Sequence, residues 1–195
     1  MRHGVVAIFV LLTAATAMTA AAAVGDAVAE PTLSTFAVAG YSLLKAAVVA
    51  AFSVFVLIRE PSRRPSRDPI AFAACATAVV TAVAVRPPDT SQSAALVLAG
   101  DFLTLVSCAW LLVAALALGR CFGVLPEARG LVTEGPYAFV RHPLYLGELG
   151  AYAGLVVAAP RPLNIGLGVL FVSAQALRMR LEERALTDAF PEYSE

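Results

Sequence analysis

The sequence predicts an all-α protein: a polytopic transmembrane bundle of about six helices whose last two form a hairpin. Three observations predict it. The 195-residue chain is 59% hydrophobic and only 14% charged, more apolar material than a soluble domain of that length needs for its core. Apolar runs close to the roughly 20 residues that span a bilayer recur along it. The basic residues, finally, gather in alternate connections between those runs.

Residues 5–24 form the first run. The "MRHG" before it also suits a secretory signal, but an apolar stretch of about 20 residues exceeds the roughly 7–15 of a signal core, so a retained helix is expected. Residues 36–58 follow, interrupted by Lys45, then the shorter run 70–85. Residues 94–118 are long and carry Asp101 near their start. Residues 144–159 and 163–177 make the hairpin around Pro160, Arg161 and Pro162, and it is short enough that it need not cross fully. Lys45 and Asp101 could pair, but snorkelling to an interface is the stronger expectation.

Orientation follows from the arginines. An N-terminus in the cytoplasm puts eleven on that side: Arg2, Arg59, Arg63, Arg64, Arg67, Arg120, Arg129, Arg141, Arg178, Arg180 and Arg184. Arg86 and Arg161 are left on the other. Both termini are then cytoplasmic, in a multi-pass integral membrane protein. The stretch "REPSRRPSRDP" is expected to set this orientation and to touch anionic headgroups.

Composition shifts once. Residues 1–118 read as a transmembrane scaffold and residues 119–195 as a functional half, within one domain. Residues 119–140 settle on no single period and should lie along the membrane surface. The formal net charge of zero gives no reason to expect a nucleic-acid partner. Cys75, Cys108 and Cys121 have no metal-ligand spacing and read as small core residues. No H-E-x-x-H, phosphate-binding loop or G-x-S-x-G occurs, so no metal is expected.

The residues that could carry chemistry lie in two clusters. The first is "EGPYAFVRHPLYLGELG". Pro143 suits the first position of a helix, which leaves His142 at the cap and Arg141 just before it. Tyr145, Glu148 and Tyr152 are spaced by three and four and share a face. Gly147, Gly150, Ala151 and Gly154 share a neighbouring face, open to close approach by a helix or a ligand. A carboxylate within a membrane helix is a functional candidate. Glu148, about 7 Å below the helix start by its rise, could equally reach the interface. The second cluster is "LRMRLEERALTDAFPEY". Arg178 and Glu182 are four apart and could form a simple surface pair. Glu182 and Glu183, being adjacent, point about 100° apart. The short hairpin should bring the two clusters together around a pocket with polar groups above and apolar walls below.

These residues resemble the isoprenylcysteine carboxyl methyltransferase family, whose wider relatives include phospholipid N-methyltransferases. The resemblance rests on Gly135-Pro136-Tyr137, Arg141-His142-Pro143, Tyr145 and Gly147. After the hairpin it continues with Arg178, Arg180, Glu182-Glu183, Phe190 and Tyr193. It implies a membrane methyltransferase that binds S-adenosylmethionine at the cytosolic face and methylates a lipophilic small molecule or lipid-modified substrate drawn from the membrane lipids. A noncatalytic membrane protein of the same fold, binding a lipid or assisting a membrane complex, is the alternative. Oligomeric state is not indicated.

The positions the family assigns to the cofactor become Arg141, His142, Pro143, Tyr145, Gly147, Glu182 and Glu183, to which Arg178 is added on chemical grounds. Arg141 or Arg178 could hold a carboxylate in a forked pair. One glutamate could take an ammonium or ribose hydroxyls, and Gly147 would allow close approach. Arg141, His142 and Glu148 are the catalytic candidates, with Glu148 or His142 as base if the acceptor must lose a proton. The resemblance thins at the end. Pro191 stands where glycine is usual, and the family's second tyrosine and basic tail have no counterpart, so the end of the site's cover is expected to be trimmed.

Overall fold

A computed structural model describes residues 2–62, 68–86, 88 and 92–190. Six α-helices are formed among them: α1 (Arg2–Ala29), α2 (Leu33–Ile58), α3 (Pro69–Ala84), α4 (Ala94–Leu118), α5 (Pro143–Ala158) and α6 (Pro162–Ala189). Short 3₁₀ turns at Gly119–Cys121 and Gly135–Ala138 punctuate the stretch between α4 and α5. No strand occurs among the described residues. The helices correspond one for one to the apolar runs of the sequence. Four, α1, α2, α4 and α6, are long and apolar enough to cross a membrane, while α3 and α5 are shorter apolar helices. The protein is an integral membrane protein built as an all-α bundle.

Helix starts follow from local chemistry. Asp68 caps α3 by accepting the Ile70 backbone N–H at 2.8 Å, with Pro69 in the first turn. Pro143 and Pro162 occupy the first turns of α5 and α6, where a missing N–H costs nothing. Gly119 closes α4 with φ at 51°, a value side-chain-bearing residues avoid. The apolar-to-charged change near Leu177 interrupts nothing: α6 runs unbroken through it to Ala189.

The packing parts the chain after Ile58, giving units 1–58 and 59–195. The compositional shift after residue 118 falls inside the second unit, where α4 makes its most extensive pairing with α5. In the first unit, α1 and α2 pack through Ala23, Ala27 and Ala39 and are joined by a 2.6 Å bond between Thr13 and Ser53 hydroxyls. In the second, α4 pairs with α5 and α3 with α6. Tyr152 stacks on Phe171 at 4.3 Å over Ala78 and Ala174. The turn between α5 and α6 is clipped to the end of α3 by Asn164. Its amide accepts from Arg86 N–H at 3.0 Å and donates to Arg86 and Ala159 carbonyls at 2.9 and 2.8 Å. Lys45 and Asp101 are exposed. Arg63, Arg64 and Arg67 of the basic loop, and Pro191 and Tyr193 of the motif, lie outside the described residues.

Candidate functional site

α5 and α6 run antiparallel, so the start of one faces the end of the other. Tyr145 O–H donates to Glu182 at 2.7 Å. One turn deeper, Arg178 donates to Glu148 at 3.2 Å, and Gln175 donates to the same Glu148 oxygen. The adjacent pair Glu182 and Glu183 both reach the α5 entrance, although they point in different directions. Tyr145 lies on the helix, whereas His142 sits at its cap, and His142 Nε2 donates to Glu183 at 3.1 Å. The His142 ring meets Tyr145 edge-on at 5.6 Å. The Arg178 guanidinium lies 5.0 Å from the centre of the Tyr145 ring, a cation–π arrangement.

A cleft opens beside this seam. Its polar wall comes from Glu127, Tyr137, Arg141, His142, Tyr145, Arg178 and Glu182, and its apolar wall from Leu118, Leu125 and Leu144. It encloses about 30 Å³, room for a water molecule rather than a nucleoside. The Tyr137 phenol is pushed well above its ordinary range, first by burial and then by the charge of Glu182, so it keeps its proton.

The connecting segment 119–130, which showed no period, is pinned residue by residue. The Glu60 N–H donates to the Arg120 carbonyl at 2.8 Å, and the two side chains pair at 2.7 Å. Ser62 donates to the Ala128 carbonyl at 3.1 Å and Cys75 to the Val124 carbonyl at 3.2 Å. Arg129 donates to the Glu60 carbonyl and to the Glu127 carboxylate. Burial lowers the Arg129 guanidinium from its ordinary range, and Glu127 offsets part of that. The segment thereby carries Gly123, Leu125 and Glu127 to the cleft.

The sequence-predicted residues divide in three. Arg141, His142, Tyr145, Arg178 and Glu182 meet at the cleft, and Glu183 adjoins it through His142. Glu148 does not line the cleft; its carboxylate is engaged by Gln175 and Arg178 beneath it. Arg178 makes its ion pair with Glu148 on the facing helix rather than with Glu182 four residues on, whose carboxylate accepts the Tyr145 O–H. Pro143 and Gly147 face elsewhere. The Pro143 carbonyl accepts the Trp110 indole N–H at 2.9 Å. A side chain at Gly147 would come within 2.9 Å of Leu111 Cα, so the close approach it permits is that of α4.

Sequence reasoning missed Gln175 and Glu127. Gln175 had a signal, a lone amide three residues before Arg178 in an apolar stretch. Glu127 had none. Among the described residues, no group of three or more His, Cys, Asp or Glu could hold a metal ion.

The phospholipid methyltransferase family pattern matches residues 90–193. A segment of 66 residues is 38% identical to the cobalt-zinc-cadmium resistance protein CzcN of Cupriavidus metallidurans, covering 33% of this chain and 31% of that protein. The chain thus spans about a third of the length of the curated relative it matches. No solved structure matches. Because the family pattern takes in α4, the pinned segment, both clusters and the hairpin between them, more than half of the sequence, this chain belongs to the phospholipid methyltransferase family.

Proposed function

We propose that the protein transfers a methyl group from S-adenosylmethionine to a lipophilic acceptor at the cytosolic face of its membrane. The observation that carries this reading is the meeting of Arg141, His142, Tyr145, Arg178 and Glu182 around one cleft at the end of an apolar hairpin. The donor set suits a zwitterionic sulfonium compound. Arg141 or Arg178 matches a carboxylate, while Glu182 or Glu183 matches an ammonium or ribose hydroxyls. Arg178 also has a buried Nε with no hydrogen-bond partner, a donor that a ligand would satisfy. At about 30 Å³ the cleft is too small, so entry of such a ligand requires the His142–Glu183 and Tyr145–Glu182 bridges to part.

When bound, S-adenosylmethionine supplies an already activated methyl group. The chain's own work is to hold the acceptor in line and keep water out, for which orientation contributes on the order of 7–11 kcal/mol of barrier lowering. A carboxylate acceptor needs no base. An amine or thiol acceptor must lose a proton, and His142 is the better-placed group, since Glu148 is engaged by Gln175 and Arg178. Leu118, Leu125 and Leu144 suit the greasy part of the acceptor.

The cytosolic orientation is supported within residues 59–195. Arg120 and Arg129 join Glu60, and Arg141 and Arg178 line the same cleft, whereas Arg86 is clipped to the opposite turn of the hairpin beside Arg161.

The experiment is equilibrium binding of methyl-labelled S-adenosylmethionine to the full chain in detergent, followed by transfer of label to extracted membrane lipids. Saturable binding with transfer is expected. Binding without transfer to any lipid fraction would favour a noncatalytic role, and no binding would refute the reading. A reporter fused after Glu195 should read cytoplasmic.

A further inference from the structure

Gln175 lies outside the cleft lining and is fully buried on the α5-facing side of α6. Its amide orientation is fixed by its neighbours. Glu148 can only accept and Arg178 can only donate, so Nε2 points to Glu148 and Oε1 takes Arg178 Nη1 at 2.6 Å. Glu148 takes the same Nη1 at 3.2 Å. Both hydrogens of Nη1 are thereby committed.

What remains of the guanidinium is its other edge. Nε is buried with no hydrogen-bond partner. The acceptor of Nη2, the Val124 carbonyl, is distant at 3.4 Å and is shared with the Cys75 thiol, which lies against the guanidinium. Nε and Nη2 share one side of the planar group, the side that grips a carboxylate with two parallel bonds. A buried, unpaired N–H beside a weakly paired one on a cleft-lining arginine is costly unless a ligand completes it.

We propose that Gln175 is a positioning residue. With Glu148 it saturates Nη1 of Arg178, and so turns the Nε/Nη2 edge into the receiver of the carboxylate of the sulfonium ligand. This rests on the S-adenosylmethionine reading above and chooses Arg178 over Arg141 for that carboxylate. Arg141 also lines the cleft but is exposed.

The test measures binding of S-adenosylmethionine and of decarboxylated S-adenosylmethionine, which lacks only the carboxylate, to the full chain in detergent. Gln175→Met keeps the side-chain length and removes both hydrogen bonds. It should weaken S-adenosylmethionine by about tenfold, the scale of one charge-assisted bond, and leave the decarboxylated ligand within about twofold. Equal weakening of both ligands would make Gln175 merely structural and overturn the proposal, as would weakening of neither.

Should Gln175→Met not fold, Gln175→Glu replaces it. A protonated Glu at 175 reproduces the amide's donor and acceptor, whereas an ionised one opposes Glu148. S-adenosylmethionine binding to Gln175→Glu should therefore strengthen as pH falls relative to the parent chain. Gln175 itself meets Glu148 and Arg178, and the titratable groups around Arg178 are Glu148 and Tyr145 on α5, Cys75 on α3 and Glu182 on α6; all are shared with the parent, so an identical pH profile in the two proteins would overturn the proposal. Absence of binding by the parent chain refutes the wider reading and this one with it. Parent binding with an unaltered ligand ratio in the variant refutes this one alone.

Discussion

The two faces of α5 are built on opposite principles. The face toward α4 holds Gly147, Gly150 and Gly154, and its strength comes from having no side chains: a Cβ at Gly154 would lie 2.6 Å from the Gly100 carbonyl, and one at Gly147 2.9 Å from Leu111 Cα. The face toward α6 holds Tyr145, Glu148 and Tyr152, and each makes a directed contact, to Glu182, to Arg178 and to Phe171. Apolar solvation gives helices in a membrane little reason to associate, so backbone proximity and polar bonds do the joining. In α5 the two means are separated. The glycine face fixes where the helix lies, and the polar face carries the residues of the proposed site.

That division makes the glycine face the place where substitution costs most. Gly154→Val should destabilise beyond the ~1–3 kcal/mol of ordinary overpacking, because the Gly100 carbonyl it meets is backbone and cannot turn aside. Thermal unfolding in detergent should show a collapse of the melting temperature or no folded yield. A melt unchanged from the parent would mean that α4 and α5 are not locked through this face.

Second in size is the buried pair on the opposite face. Glu148→Ala strands the Arg178 guanidinium and removes the acceptor of Gln175. Breaking a buried pair by deleting one partner costs about 3 kcal/mol or more. Glu148→Gln retains an acceptor and should recover much of that stability. Recovery of stability without recovery of S-adenosylmethionine affinity would assign Glu148 to holding the charge of Arg178 rather than to packing. Equal stability of both variants would remove the pair from the account.

How much of this could be read beforehand depends on whether the signal lay within one segment. Each helix was legible because a contiguous apolar run ended at charge, Gly or Pro, and the α5 cap because Pro at a first turn forces the residue before it outside the helix. Tyr145, Glu148 and Tyr152 were legible as one face because helical spacing is local. Their partners were not. Whether Gly147 faces a ligand or Leu111, and whether Arg178 chooses Glu182 or Glu148, is set by the register between helices, which no single segment encodes. The segment 119–130 was opaque for the same reason. Its order comes from Glu60, Ser62 and Cys75, far away in sequence.

The smallest stability effect, and the sharpest contrast with the glycine face, belongs to the outermost bridge. Glu183 has a side chain 44% exposed and meets His142 at 3.1 Å, an arrangement that solvent screens to less than about 1 kcal/mol. Glu183→Ala and His142→Ala should therefore leave melting and membrane insertion close to the parent. If the bridge is an element of the site, both should nonetheless weaken S-adenosylmethionine binding. An additive effect in the double variant would mean that each touches the ligand separately, and a non-additive one that they act as a bridge. Unchanged affinity in both would confine the site to Tyr145, Arg178 and Glu182, one turn deeper, and leave the outer pair a surface contact.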